Sequence, residues 1–214
     1  MTPACLYIGN RRYSSWSLRA WLVMKRAGLE FDVERIALNV ADTRKAISAI
    51  SPGGTVPVLH ADGVVVWDSL AICEWVSDEH GGLWPGDPLL RARARSVVAM
   101  MHSGFHHLRD ECPMDLGRAP APKSLSPEAE ADIAAVQALW MEMKTGTGPW
   151  LFGNWSIADA FFTPVATRFE SYAIDLHADA RAYVDSLLAD GDYQDWLAGA
   201  RLETDPNPYE TAGD

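Results

Sequence analysis

The sequence predicts an α/β unit followed by an all-helical one, and three observations carry that reading. Over about the first eighty residues, segments of strand and helix period alternate in the order βαβαββα. A Pro/Gly-rich stretch, Leu83-Trp84-Pro85-Gly86-Asp87-Pro88, then interrupts the pattern. Beyond it strand signals vanish and long helical patterns begin. The expected organisation is therefore a first domain over residues 1–82, a linker over 83–88 and a helical domain over 89–214.

Each element has its own signal. Cys5-Leu6-Tyr7-Ile8 is a short apolar run of strand length, and Asn10-Arg11-Arg12 is the loop after it. From about Ser15, Leu18, Trp21, Leu22, Val23 and Ala27 recur at helical spacing until Gly28. Residues 31–36 alternate apolar and polar, as a half-buried strand does. A short helix fits Asp42 to Ala49. Two β-branched runs, 56–60 and 64–67, flank Ala61-Asp62-Gly63 and read as a hairpin. A third helix spans Ser69 to about Glu79. In the second half, one helix is expected from about Leu89 to Glu111. Another runs from Pro127 to Lys144, with Ser126 as its N-cap and Pro127 in its first turn. Ser156-Ile157-Ala158-Asp159 resembles a capping box opening a further helix through Phe161, Phe162, Val165 and Phe169.

Composition narrows the function classes. The net charge of −11 argues against a dedicated nucleic-acid binder, which needs clustered Lys and Arg on phosphates. No apolar run reaches membrane-spanning length and the N-terminus has no signal-like pattern, so the expected location is the cytoplasm with no membrane partner. Cys5, Cys73 and Cys112 have no paired spacing and supply no zinc set. No glycine-rich phosphate loop follows a strand.

Four places can carry chemistry. Tyr13-Ser14-Ser15-Trp16-Ser17-Leu18-Arg19 puts hydroxyls at a strand-to-helix turn, where they can cap the helix or point at a bound anion. Pro57 interrupts a strand-like run, so either the strand is an edge or the Val56–Pro57 bond is cis and leaves the Val56 main chain to an extended ligand. Asp68-Ser69 is a helix cap, or a receptor in which Ser69 holds a carboxylate and Asp68 an ammonium. His102 and His106, four apart on an expected helix, fit a solvated face, a cleft lining or a metal pair; no third ligand completes the last.

Together, the SSWS turn, the βαβαββα order, Val56-Pro57, Asp68-Ser69, the helical second half and Ser156-x-x-Asp159 resemble the cytosolic glutathione transferases over nearly the whole chain. The likeness is greatest to their serine-type zeta and theta branch and its bacterial relatives. The resemblance implies a thioredoxin-like first domain, an all-helical second domain, a homodimer, and a cis Val56–Pro57 bond. It implies glutathione as co-substrate and no metal, with the γ-glutamyl end on Asp68 and Ser69. The opening serines then hold a thiolate. A free thiol has a pKa of about 8.5, and a hydroxyl donating to sulfur favours the ionised form. By alignment to the family's SSCS motif, Ser14 is the first candidate donor and Ser15 the second. Trp16, Met101, His102, Phe105 and His106 are expected to line the electrophile cleft. The expected reaction is conjugation of glutathione to a small electrophile. The alternatives are cis–trans isomerisation of the maleylacetoacetate isomerase kind, or glutathione binding without turnover. The chain departs from zeta isomerases at Trp16, where they carry cysteine, and at Ser171, where they carry arginine; Arg168 lies one turn earlier.

Overall fold

The computed structural model describes residues 4–205. The tail beyond them, part of the acidic stretch that begins at Glu203, lies outside the described residues. The first half folds as β1 (Ala4–Ile8), α1 (Ser15–Arg26), β2 (Phe31–Arg35), α2 (Thr43–Ile50), β3 (Val58–Ala61), β4 (Val64–Trp67) and α3 (Ser69–His80). The sheet order is β2-β1-β3-β4, with β1 parallel to β2 and the other pairs antiparallel. Helix α1 is thus the crossover between the parallel pair, which such a pair requires. Leu6 stands opposite both Val33 and Leu59, and with Ile8 and Leu59 it forms one fully buried face of the sheet, while Val58, opposite Tyr7, is buried on the other. The strand and helix order is the expected βαβαββα, and the unit is the thioredoxin-like one that the resemblance implies.

The second half contains α4 (Pro88–Ser103), α5 (His106–Glu111), α6 (Pro127–Met143), α7 (Ile157–Ser171), α8 (Ala178–Leu188) and α9 (Gly191–Arg201). Helix α7 is its axis, buried along nearly its full length and packed on α1, α4 and α8. Its first turn is built on Asp159, which accepts from Ser156 N (2.8 Å), Ser156 Oγ (3.1 Å), Leu151 N (3.0 Å) and Tyr183 Oη (2.8 Å). Four donors make a fully buried carboxylate tolerable, although burial still pushes its pKa up.

Two expectations are corrected. The single helix over 89–111 is two, broken at Gly104 and Phe105. Gly104 turns to extended backbone, a conformation only glycine fits there because a Cβ would lie 2.8 Å from Met100 O, and Phe105 is left-handed at φ 57°, so the helical run ends at Ser103. Pro57 lies ahead of β3 rather than inside it, and β3 is an inner strand. No helix among the described residues is long and apolar enough to cross a membrane.

Candidate active site

The site begins where β1 ends. Gly9 lets the side chains of Leu38 and Ser14 close on the end of the strand, because a Cβ there would stand 2.6 Å from Leu38 Cδ1 and 3.0 Å from Ser14 Cβ. Gly9 N donates to Ser17 Oγ (3.1 Å), and Ser17 Oγ lies 2.7 Å from Ser14 Oγ. Ser14 is the N-cap of α1, and its Oγ accepts from Ser17 N at 3.4 Å. Ser17 therefore ties the strand to the helix, and Ser14 is largely taken up by the cap. Ser15 differs. It is buried, and its Oγ accepts a hydrogen bond from Arg168 Nη2 (3.3 Å), a group that can only donate. The Ser15 hydroxyl proton therefore points elsewhere.

The loop between strand and helix is held from the far end of the chain. Glu203 accepts from Arg11 N (2.8 Å) and Arg12 N (3.1 Å), Trp196 Nε1 donates to Arg11 O (2.9 Å), and Arg12 pairs with Asp115 (2.6 Å). Glu203 thus belongs to the frame of the site and does not cover it.

Across from the serines, the Val56–Pro57 bond is cis. Asp68 adopts φ 76°, rare for a side-chain-bearing residue and the kind of strain that gathers at functional sites. Its Oδ1 caps α3 through Leu70 N (2.8 Å), and its Oδ2 lies 3.3 Å from His102 Nε2. Ser69 is 1% exposed, and its Oγ has no hydrogen-bond partner among the described residues. A buried hydroxyl left unpaired is costly, so Ser69 has a donor with no acceptor among the described residues.

The five expected cleft residues separate. Trp16 is half-buried and stands edge-on to His102 with ring centroids 5.0 Å apart, so these two meet at the junction of the domains. Burial lowers the His102 pKa, an effect that Asp68 partly offsets. Met101 is fully buried in the core and Phe105 nearly so, while His106 is exposed on the separate helix α5. The break at Gly104 therefore removes the shared helical face expected for His102 and His106. No group of three or more His, Cys, Asp or Glu among the described residues could hold a metal.

Sequence reasoning missed an arginine cluster. Arg19 is 1% exposed, lies between the rings of Trp16 (4.5 Å) and Phe161 (4.6 Å), and has no partner for Nε or Nη1. Its pKa falls well below the usual value through burial and then through the like charges of Arg109 and Arg168. Arg109 lies 5.0 Å from the Trp16 ring and donates to the carbonyls of Met101 and His102. One signal was available: Arg19 sits one helical turn from Leu22 and Val23, a charge on the apolar stripe of α1.

Residues 13–79 match the family model of the glutathione S-transferase N-terminal domain. The matched span holds both serines, the cis proline and Asp68-Ser69. The architecture is that of the glutathione transferases. A glutathione transferase homolog from Burkholderia with bound glutathione superposes with a TM-score of 0.75 at 23% identity, covering 94% of this chain and 99% of its own. Maleylacetoacetate isomerase from Anaeromyxobacter dehalogenans, with glutathione in its active site, gives 0.64 at 25% identity over 91% and 94%. By sequence, maleylacetoacetate isomerase of Pseudomonas aeruginosa is 28% identical over 81% of this chain and 84% of its own length. The rat enzyme is 27% identical over 80% of each. In this glutathione transferase fold, Ser14 and Ser15 lie between β1 and α1, Val56 lies just ahead of β3, and Asp68 and Ser69 lie between β4 and α3; Asp68 meets His102 of α4, whose ring is also met by Trp16 of α1.

Proposed function

We propose that the chain is a glutathione-dependent enzyme of the glutathione transferase family, with glutathione on the first domain and an electrophile against the second. One observation carries the chemistry: Ser15 accepts from Arg168 and keeps its own proton to give. The γ-glutamyl carboxylate sits on the unpaired Ser69 hydroxyl and the N-terminus of α3, and the Val56 main chain pairs with the cysteinyl unit. Asp68 holds the γ-glutamyl ammonium in exchange for its contact with His102. The thiol then meets the serine turn. Ser15 donates to sulfur, Ser14 maintains the cap, and the α1 N-terminus with the buried arginines adds positive field. This ordering favours Ser15 over Ser14, against the alignment to the SSCS motif. The thiol gives its proton to solvent, and the thiolate attacks the electrophilic carbon; the new C–S bond forms as the leaving group departs with its electron pair. Serine here is a hydrogen-bond donor throughout and never a nucleophile.

A second reading has its own support. Arg168 reaches Ser15 from one turn before Ser171, and Arg19 and Arg109 flank Trp16. Such a cluster suits a carboxylate-bearing substrate, and curated relatives are maleylacetoacetate isomerases. Thiolate addition to a double bond gives a delocalised anion, and rotation about the resulting single bond followed by elimination would then regenerate the thiolate.

We assign glutathione binding to residues 1–82, the linker to 83–88 and the electrophile site to the domain from 89 onward. The protein acts in the cytoplasm as a homodimer. Edge strand β4 offers an apolar surface for pairing, with Val64, Val65 and Trp67 exposed by 45%, 40% and 43%. Retention on immobilised glutathione with elution by the free tripeptide tests the common premise. Turnover of an aryl halide against maleylacetoacetate separates conjugation from isomerisation, and retention with neither turnover leaves a binding protein only.

A further inference from the structure

The contact between His102 and Asp68 crosses the junction of the two domains. His102, on α4, points Nε2 at Asp68 Oδ2, 3.3 Å away at the N-cap of α3. Both side chains are open to solvent, 25% and 44% exposed, so a ligand can reach them. Asp68 has one oxygen to give. Its Oδ1 is spent on the cap, accepting from Leu70 N (2.8 Å) and Ala71 N (3.4 Å), which leaves Oδ2 for a further partner.

A proton decides how firmly the imidazole holds that oxygen. To donate to a carboxylate, Nε2 must carry the N–H, so Nδ1 is the bare nitrogen of the neutral ring. Nδ1 is buried and has no partner among the described residues, so a second proton there meets no acceptor. Burial disfavours the charged ring, Asp68 favours it, and Arg19 from α1 and Arg109 from α5 oppose it again. The rings of Trp16 from α1 (5.0 Å) and Phe161 from α7 (6.2 Å) add no charge. His102 is therefore neutral at pH 7 and becomes a cation only in acid. A neutral imidazole can share Oδ2 with an incoming ammonium. An imidazolium cannot, because two cations on one oxygen repel each other.

We propose that His102 is a built-in competitor for the ammonium subsite: its protonated form occupies Asp68 Oδ2, and glutathione binds by expelling that proton to solvent. This rests on the reading that Asp68 receives the γ-glutamyl ammonium, and it adds that glutathione and a proton exclude each other there. Glutathione affinity then falls as the pH drops through the imidazole titration.

The test uses the full chain and S-methylglutathione, which keeps the γ-glutamyl ammonium and has no thiol to ionise. A glutaryl analogue, otherwise identical but lacking the ammonium, is the control. Calorimetry is run from pH 7.5 to 5.5. In wild type, S-methylglutathione weakens by about two- to tenfold, the span open to one group titrating at or somewhat below about 6.5. The glutaryl analogue does not weaken. His102→Gln loses the acid weakening, and the imidazole C–H resonance absent from that variant titrates at lower pH when S-methylglutathione is bound to wild type. The comparison of the two ligands on wild type stands even if His102→Gln does not fold. The same pH dependence for both ligands, an imidazole titration unmoved or raised by S-methylglutathione, or acid weakening retained in His102→Gln each overturns the proposal and leaves glutathione binding intact. Absence of S-methylglutathione binding at pH 7.5 overturns the glutathione reading itself, and the competition with it.

Discussion

Ser69→Ala separates a ligand-receiving residue from a structural one, because the two roles predict opposite signs. In the free protein the Ser69 hydroxyl is buried and unpaired, and an unmet polar group of that kind costs about 1–3 kcal/mol. Removing it leaves the free protein no less stable and raises stability by on the order of 1 kcal/mol. For a chain of this size that is a rise in Tm of about 2–4 °C. On the proposed reading the same hydroxyl donates to the γ-glutamyl carboxylate of bound glutathione, and a hydrogen bond to a charged group contributes about 1.5–3 kcal/mol. Losing it weakens glutathione by about tenfold to hundredfold. Thermal unfolding with and without glutathione, alongside calorimetric titration, reads both effects in one preparation. The variant should melt higher than wild type alone and gain less from ligand. A lower melting temperature with unchanged affinity would make Ser69 an ordinary helix-start residue and remove the receptor.

Three further outcomes follow from the frame around the site. Glu203→Ala leaves Arg11 N and Arg12 N without their acceptor, so we expect about 2 kcal/mol of lost stability and reduced turnover; an unchanged melting curve contradicts the anchoring role. His102 has a folded-state pKa below the ordinary imidazole value, chiefly through burial. The unfolded chain therefore binds this proton more readily, and stability rises with pH from the lowered pKa to about 6.5. Below that window His102 opposes folding, so wild type should lose more stability than His102→Gln on acidification from about pH 7.5 to 5.5; parallel losses would refute it. Asp159→Ala strips a ligand from four donors at the start of α7, and we expect a loss of about 3–5 kcal/mol by denaturant titration. A loss below about 1 kcal/mol, the scale of an exposed cap, would contradict its central place.

Local patterns made much of the fold legible. The hairpin around Asp62-Gly63, the proline at the start of α6 and the capping box of α7 all act within a few residues, and each formed as its chemistry requires. The long helix ends for an equally local reason, since Gly104, a poor helix former, leaves the helical conformation for one that a Cβ would not fit, and Phe105 follows it left-handed. The serine turn and Asp68-Ser69 were visible as residue types, but their division of labour was not. Whether Ser14 or Ser15 has a free proton depends on Arg168, 153 residues away from Ser15. Glu203 on the loop and Asp68 against His102 are likewise long-range contacts, which no window of periodicity reports. Arg19 was hidden differently. Its charge counted as a helix residue, and only the flanking rings of Trp16 and Phe161 reveal a buried cation beside the turn.

The central claim is that Ser15, polarised by Arg168, holds the bound thiol as a thiolate while Ser14 keeps the helix cap. Ultraviolet titration of the glutathione thiolate in complexes of wild type, Ser14→Ala and Ser15→Ala measures it most directly. The account predicts a thiol pKa below the free value of about 8.5 in wild type, raised by about one to two units in Ser15→Ala. Ser14→Ala should leave the pKa near wild type and lower stability by about 1 kcal/mol. A pKa that rises with Ser14→Ala and not with Ser15→Ala would contradict the assignment, and one at the free-thiol value in wild type would contradict thiolate stabilisation altogether.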